Sequence, residues 1–278
     1  MQLEFVNMGN VELISFATAD ELASRAANAW LDEIESAGRA GKAHCVALSG
    51  GRITQKFFAA TVAQAKARAV SFERVHFFWA DERCVPPTDP ESNFKLASEL
   101  LFAPLKIPDN QIHRIRGEEP PEIAAKLASE EIQRIVPTVP PSPRRGEGRG
   151  EEAVISNSKP RSPLGRGEGG YSQPALDLIF LGMGEDGHVA SLFPGASPET
   201  GNCAVPFLFI ENSPKPPPCR ISLSYAAIAA AKQVWVLVSG AGKEAALRES
   251  LRPGGQTPLA RVIQSRSRTR IFSGIRLD

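Results

Sequence analysis

Five short stretches of this sequence gather residue types that handle protons and anions. Gly182-Met183-Gly184-Glu185-Asp186-Gly187-His188 is the richest of them. A neutral imidazole accepts a proton near pH 7, so His188 is a candidate general base, and Asp186 could position or polarise its ring. Side chains two apart do not face each other on a helix, so the spacing leaves their contact open. The plainer reading is a structural histidine. Ser49-Gly50-Gly51-Arg52-Ile53-Thr54 offers a tight turn whose backbone N–H groups point at an anion, with Gly50 and Gly51 at its centre. A simple turn is the alternative there, and the GxxxxGK[ST] spacing is absent.

Asp81-Glu82-Arg83 follows directly on the apolar Phe77-Phe78-Trp79-Ala80. Arg83 could grip a phosphate, and Asp81 could orient a sugar hydroxyl or another side chain; a solvated turn with a local ion pair competes with that reading. Lys215-Pro216-Pro217-Pro218-Cys219-Arg220 and Ser239-Gly240-Ala241-Gly242-Lys243 add two further cations. Arg220 presents a planar fork and Lys243 a compact charge, both suited to phosphate, although either also fits a solvated surface. A glycine turn, three cations and a histidine together point to a small phosphorylated substrate.

One competing motif needs weighing. GMGEDG satisfies G-x-G-x-x-G after an apolar run, with Glu211 downstream as the acidic partner of a dinucleotide site. Glu185 and Asp186 would then sit against a pyrophosphate, and Phe193-Pro194-Gly195 would cut the following helix short. Both features count against a dinucleotide.

The elements that must position these residues alternate between strand-like and helix-like runs. Strands are expected at Val11–Phe16, His44–Leu48, Arg74–Trp79, Gln111–Ile115, Ala175–Leu181, Ala204–Ile210, Gln233–Val238 and Thr269–Ser273. Helices are expected at Asp20–Ala37, Ile53–Ala67, Ser92–Leu101, Glu122–Val136, Tyr225–Ala231 and Ala241–Leu251. This alternation predicts an α/β fold, a three-layer Rossmann-like, mostly parallel sheet with helices on both faces. Ligands in such folds bind outside the carboxyl ends of the strands, where the five motifs fall.

The 278 residues carry 32 Lys+Arg against 31 Asp+Glu, and 42% are hydrophobic. Such a chain can bury one sizeable core, and its near-neutral balance removes the electrostatic argument for nucleic acid or a membrane surface. No run approaches a membrane-spanning length, and the first residues show neither a basic leader nor a cleavage pattern. Cys45, Cys84, Cys203 and Cys219 are far apart, and the four histidines make no metal cluster. A cytoplasmic monomer that needs no metal or cofactor is expected. From Thr138 to Gln173, Gly and Pro make up one residue in three, against one in seven elsewhere. A phrase repeats there, SPRRGEGRG from Ser142 and SPLGRGEGG from Ser162. That composition cannot bury enough surface to offset its ordering entropy, so 138–173 reads as a disordered insertion in a single domain spanning 1–278.

At these motifs the chain resembles the 6-phosphogluconolactonases, within the glucosamine-6-phosphate isomerase/6-phosphogluconolactonase family. The resemblance runs through VALSGG at Val46–Gly51, FFWADERCVPP at Phe77–Pro87, Ser92-Asn93-Phe94, LGMGEDGHVASLFPG at Leu181–Gly195, KPPPCRISLS at Lys215–Ser224 and VLVSGAGKEAAL at Val236–Leu247. It implies hydrolysis of 6-phospho-D-glucono-1,5-lactone in the oxidative pentose phosphate pathway, without metal or nicotinamide. It also implies His188 as general base, Asp186 in support, and Gly50, Gly51, Asp81, Arg83, Arg220 and Lys243 in the substrate or phosphate site. One departure stands out: the family usually follows its glycine pair with a small hydroxyl residue, Thr and Pro, whereas this chain has Arg52-Ile53-Thr54-Gln55. A sugar-phosphate isomerase or deaminase on the same scaffold, or a non-catalytic phosphosugar-binding protein, are the alternatives.

Overall fold

Runs of consecutive apolar residues become strands buried on both faces. The computed structural model describes residues 4–139, 172–197, 200–201 and 203–277. Strands β1 (Glu4–Met8), β2 (Val11–Ser15), β3 (His44–Leu48), β4 (Val75–Trp79), β8 (Leu178–Gly182), β11 (Gln233–Val238) and β12 (Thr269–Ser273) form a seven-stranded sheet in the order β1-β2-β12-β11-β8-β3-β4. Only β1 runs antiparallel to its neighbour; every other pairing is parallel. All five residues of β3 are buried. Because successive side chains alternate faces, a continuously buried strand requires helices above and below, which is the expected three-layer α/β architecture.

Helix α1 (Ala19–Arg39) begins where the Thr18 side chain accepts a hydrogen bond from the Glu21 N–H at 3.1 Å. Its apolar positions Leu22, Ala26, Trp30 and Ile34 are buried against the sheet side of the molecule. The Trp30 ring meets Phe57 of α2 (Arg52–Arg68) and Phe180 of β8, with centroids 5.6 and 5.2 Å away. This aromatic cluster fastens two helices to the central strands, and its rings bury the largest apolar areas available to a core.

A second, antiparallel sheet is less visible in the sequence. It pairs β5 (Asp81–Arg83) and β9 (Phe207–Ile210) on either side of β10 (Arg220–Leu223). The charged triplet after β4 is therefore a short strand and not a solvated turn. Helix α3 (Asn93–Ala97) continues through a π-helical turn, Ser98–Phe102, into α4 (Ala103–Leu105); α5 (Pro121–Ile135) and α6 (Tyr225–Ala230) follow along the chain.

Several boundaries differ from expectation for local reasons. Gln111–Ile115 makes no strand: Asp109–Gln111 is a 3₁₀ turn and Ile112 adds a single bridge to Phe77. The buried Gln111 amide donates instead to the carbonyls of Phe72 and Val75, closing the entrance to β4. Only Phe207–Ile210 of the Ala204–Ile210 run is strand. The helix expected from Ala241 starts at Glu244 as α7 (Glu244–Leu251), because Gly240 and Gly242 adopt φ of +98° and +81°. Helix α8 (Pro258–Gln264) was not foreseen, although Thr257 caps it by accepting from the Ala260 N–H at 3.0 Å. At the edges of the composition-biased segment, β6 (Thr138–Val139) pairs antiparallel with β7 (Gln173–Pro174). The rest of that segment, 140–171, lies outside the described residues.

The strand order reverses direction between β3 and β8. From β3 the chain crosses to β4 on one side, and from β8 it moves to β11 and β12 on the other. At such a point the loops leaving two adjacent strands diverge and open a crevice.

Candidate active site

The crevice is a cleft of about 320 Å³ lined by loops from the carboxyl ends of β3, β4, β8 and β11. It falls within the size range of small-molecule sites. Gly50, Gly51, Asp81, Arg83, His188, Arg220 and Lys243 all line it. Asp186 does not line it and lies behind His188, in contact with the ring.

His188 follows a turn and not a helix, which is how residues two apart come to meet. The Gly184 N–H donates to the His188 carbonyl at 2.9 Å and the Gly187 N–H to the Gly184 carbonyl at 3.1 Å. His188 Nδ1 then stands 2.5 Å from Asp186 Oδ1, and the His188 N–H points at the same oxygen at 3.3 Å. A Cβ on Gly184 would lie 2.1 Å from the ring, so only glycine lets the imidazole fold back this closely. Phe193 packs on the other side, its centroid 4.7 Å from that of His188.

Protonation follows from this packing. Burial raises the Asp186 carboxyl, but the hydrogen bond and charge of His188 outweigh it and hold the carboxyl below its ordinary value. An ionised carboxylate only accepts, so Nδ1 carries the proton and Nε2 keeps its lone pair. For His188, burial lowers the pKa and prevails over the raising influence of Asp186. The ring is thus neutral over a wider range than an exposed histidine, with Nε2 free of any partner among the described residues.

Cations surround the rest of the cleft. Arg220 is 4% exposed and its guanidinium is held by the carbonyls of Lys215, Pro216 and Pro217 at 2.9–3.1 Å. Burial, and then the neighbouring charge of Arg83, push it below its ordinary value. Arg83 is anchored through Nη1 to the Glu91 carbonyl at 2.6 Å, while its buried Nε has no hydrogen-bond partner. A buried donor with no acceptor is costly unless a ligand supplies one. Burial also lowers the Lys243 ammonium, and the charges of Arg52 and Lys215 act the same way against Glu185. The two glycines sit below them: Gly51 has φ of +108° and starts α2, and a Cβ on Gly50 would strike the Asn93 side chain at 1.9 Å.

Asp81 is 5% exposed and serves its neighbours. It accepts from the Ser191 hydroxyl at 2.7 Å, and its backbone carbonyl accepts from the Asn93 amide at 2.9 Å. Reading motifs singly missed Asn93 and Lys215, both of which line the cleft. Arg52, noted only as a departure from the family pattern, lines it too. The dinucleotide alternative loses its footing, since the chain after Gly187 forms a turn closed by a Val189–Leu192 bridge and Glu211 is outside the cleft. Among the described residues no helix is long and apolar enough to cross a membrane, and no group of three or more potential ligands could hold a metal ion.

Comparison with known proteins agrees with this arrangement. The family described as glucosamine-6-phosphate isomerases/6-phosphogluconolactonase matches residues 17–271. The 6-phosphogluconolactonase of Haemophilus influenzae is 33% identical over 205 residues, covering 73% of this chain and 72% of that protein. That of Mycobacterium tuberculosis is 34% identical over 200 residues, covering 70% and 68%. The crystal structure of 6-phosphogluconolactonase from Thermotoga maritima superposes with a TM-score of 0.68 at 25% identity, over 94% of this chain and 97% of the other. The chain belongs to the glucosamine-6-phosphate isomerase/6-phosphogluconolactonase family.

Proposed function

We propose that this protein hydrolyses 6-phospho-D-glucono-1,5-lactone to 6-phosphogluconate, the lactone-opening step of the oxidative pentose phosphate pathway, with His188 as general base. The observation that carries the reading is the His188–Asp186 pair, whose one unpartnered ring nitrogen belongs to a residue lining a cation-rich cleft. Similarity to lactonases named as such, in two relatives above 30% identity, supports the lactone over an amino-sugar phosphate.

In the proposed reaction, Nε2 of neutral His188 takes a proton from water as the oxygen attacks the C1 carbonyl of the lactone. Asp186 accepts from Nδ1–H, holds the ring in this tautomer and stabilises the imidazolium that forms. The imidazolium then returns its proton to the ring oxygen as the C–O bond breaks. Arg83, Arg220 and Lys243 bind the phosphorylated substrate with the backbone N–H groups at Gly50 and Gly51, so the remote anion aligns the carbonyl with the base. Asp81 holds Asn93 at the wall of the site and accepts from the buried Ser191 hydroxyl. No step requires a metal or a nicotinamide.

The chain is read as a single domain interrupted at 138–173, acting in the cytoplasm as a monomer. Four free thiols suit a reducing compartment, and the described residues expose only three large hydrophobics, Ile123, Val139 and Val205. The decisive assay gives purified protein fresh 6-phosphogluconolactone and, separately, glucosamine 6-phosphate, subtracting spontaneous lactone opening. A rate above background with the lactone alone is expected. Ammonia release from the amino sugar would replace this reading with a deaminase, and binding without turnover would replace it with a sensor.

A further inference from the structure

Glu82 is the one residue of the Asp81-Glu82-Arg83 strand that faces away from the cleft, and the proposed chemistry makes no use of it. Its carboxyl is nevertheless 2% exposed. Oε1 accepts from the backbone N–H groups of Arg83 and Asn93, both at 2.8 Å. Oε2 accepts from the Phe94 N–H at 2.8 Å and from the Ser92 hydroxyl at 3.1 Å. Four donors therefore converge on a buried carboxylate that makes no salt bridge among the described residues. Burial without a countercharge pushes this carboxyl up to about 7, against the lowering pull of the Asn93, Arg83 and Phe94 N–H groups. The bonds thus hold in place a group that burial disfavours, a task an apolar residue could not perform.

That task is visible in what the four donors carry. By taking the first N–H groups of α3, Glu82 ties the far end of the 84–92 loop back onto β5. The Glu91 carbonyl is thereby set beneath Arg83 Nη1 at 2.6 Å. The Asn93 amide is turned onto the Asp81 carbonyl at 2.9 Å, and the same side chain fills the space where Gly50 lacks a Cβ. One carboxylate outside the cleft thus fixes Arg83, Asn93 and the floor of the glycine turn, all of which line it.

We infer that Glu82 is a positioning residue for phosphorylated-substrate binding, acting through Asn93 and Arg83 and never touching the substrate. This rests on the lactonase reading above. Loss of Glu82 should weaken the hold on the substrate far more than it slows the bound complex, because the His188–Asp186 pair is built on a different loop.

Glu82→Gln is the sharpest variant, since it keeps the shape and replaces one acceptor with an N–H₂ group. Whichever way the amide turns, two of the four donors lose their acceptor. The expected result is a KM for 6-phosphogluconolactone raised about tenfold, with kcat within about threefold of the parent and the acid limb of kcat, which reports His188 in the bound complex, unmoved. The Kd for 6-phosphogluconate, followed by calorimetry, should weaken by a similar factor. In an Arg83→Ala background the same substitution should raise KM by about threefold or less, because residues acting as a unit are not additive. Ser92→Ala removes one donor to Glu82 together with the α3 cap that accepts from the Lys95 N–H, and should raise KM about twofold; it takes over the test if Glu82→Gln does not fold.

An unchanged KM in folded Glu82→Gln, a loss confined to kcat, or a full effect without Arg83 would each overturn the assignment. So would an unchanged KM in Ser92→Ala if that variant has to stand alone. A parent protein with no lactonase rate that still binds 6-phosphogluconate would remove the reaction but leave the Kd comparison to decide the role of Glu82. A parent that does neither removes both.

Discussion

Two histidines in this molecule lean on carboxylates, and only one of them lines the cleft. His188 Nδ1 meets Asp186 at 2.5 Å, and His113 Nδ1 meets Glu131 at 2.8 Å. Glu131, like Asp186, is raised by burial and lowered further by its partners, here Arg134 and His113, so it too remains an acceptor. The difference lies at the other ring nitrogen. His113 Nε2 is taken by His76 Nδ1 at 3.0 Å, and its ring is stacked on Phe78 with centroids 4.6 Å apart. His188 Nε2 has no partner among the described residues, and its residue lines the cation-rich cleft. A histidine–carboxylate pair becomes a usable base only when the second nitrogen is left open where substrate can reach it; closed, the same pair is packing.

This contrast can be broken in four places. His188→Ala should lower kcat/KM for the lactone about 10³-fold over the corrected background, the usual scale of a lost general base, with circular dichroism unchanged. Parental activity in that variant would move the base elsewhere. Asp186→Asn should cost about 10²-fold, since an amide no longer enforces the Nδ1–H tautomer. It should also shift the acid limb. Activity requires neutral His188, so the rate rises with pH through the histidine's pKa, and in the parent that limb lies below the ordinary value because burial lowers it. Asp186 raises that pKa, so its loss should move the limb to still lower pH; a shift upward would contradict the assigned partnership.

Gly184→Ala sharpens the geometric side. A methyl group 2.1 Å from the ring must displace His188, at an expected cost of about tenfold in kcat with little change in KM. Steady-state kinetics on the folded variant would check it. His113→Ala is the smallest effect on chemistry: kcat/KM should stay within about twofold, while urea unfolding reports a loss of about 2 kcal/mol from the emptied stack. A large activity loss there would mean that the two pairs are not as separate in role as their surroundings indicate.

The parallel sheet and the loops that end its strands were legible because both leave strong local signals. Val46–Leu48 and Leu178–Leu181 are apolar runs closed by Ser49-Gly50-Gly51 and Gly182-Met183-Gly184, and the structure opens its cleft at those points. The antiparallel β5 and β10 were not, because a three-residue strand of Asp, Glu and Arg carries no apolar alternation to read. Its burial comes from outside the triplet: Ser191 on Asp81 and the β10 register on Arg83, 110 to 140 positions away, and the Ser92, Asn93 and Phe94 donors on Glu82. Asn93 and Lys215 fall within stretches that resemble the family, but their role was not legible there, because it lies in what faces them across the cleft. The Asp186–His188 contact was undecidable by spacing, since it depends on Gly184 and Gly187 bending the chain away from helix.

The short β6–β7 ladder bears on how this protein can change over time. Thr138 pairs with Pro174 and Val139 with Gln173, so positions far apart in the chain are held on adjacent rungs. None of these four residues lines the cleft. For a flexible connection, closure costs about 0.6 kcal/mol more for each doubling of length, so a ladder of this kind tolerates changes in the number of residues it encloses. The ladder thereby fixes the two chain positions it joins without lending a residue of its own to the cleft, so changes at its rungs and changes at the catalytic loops need not constrain each other.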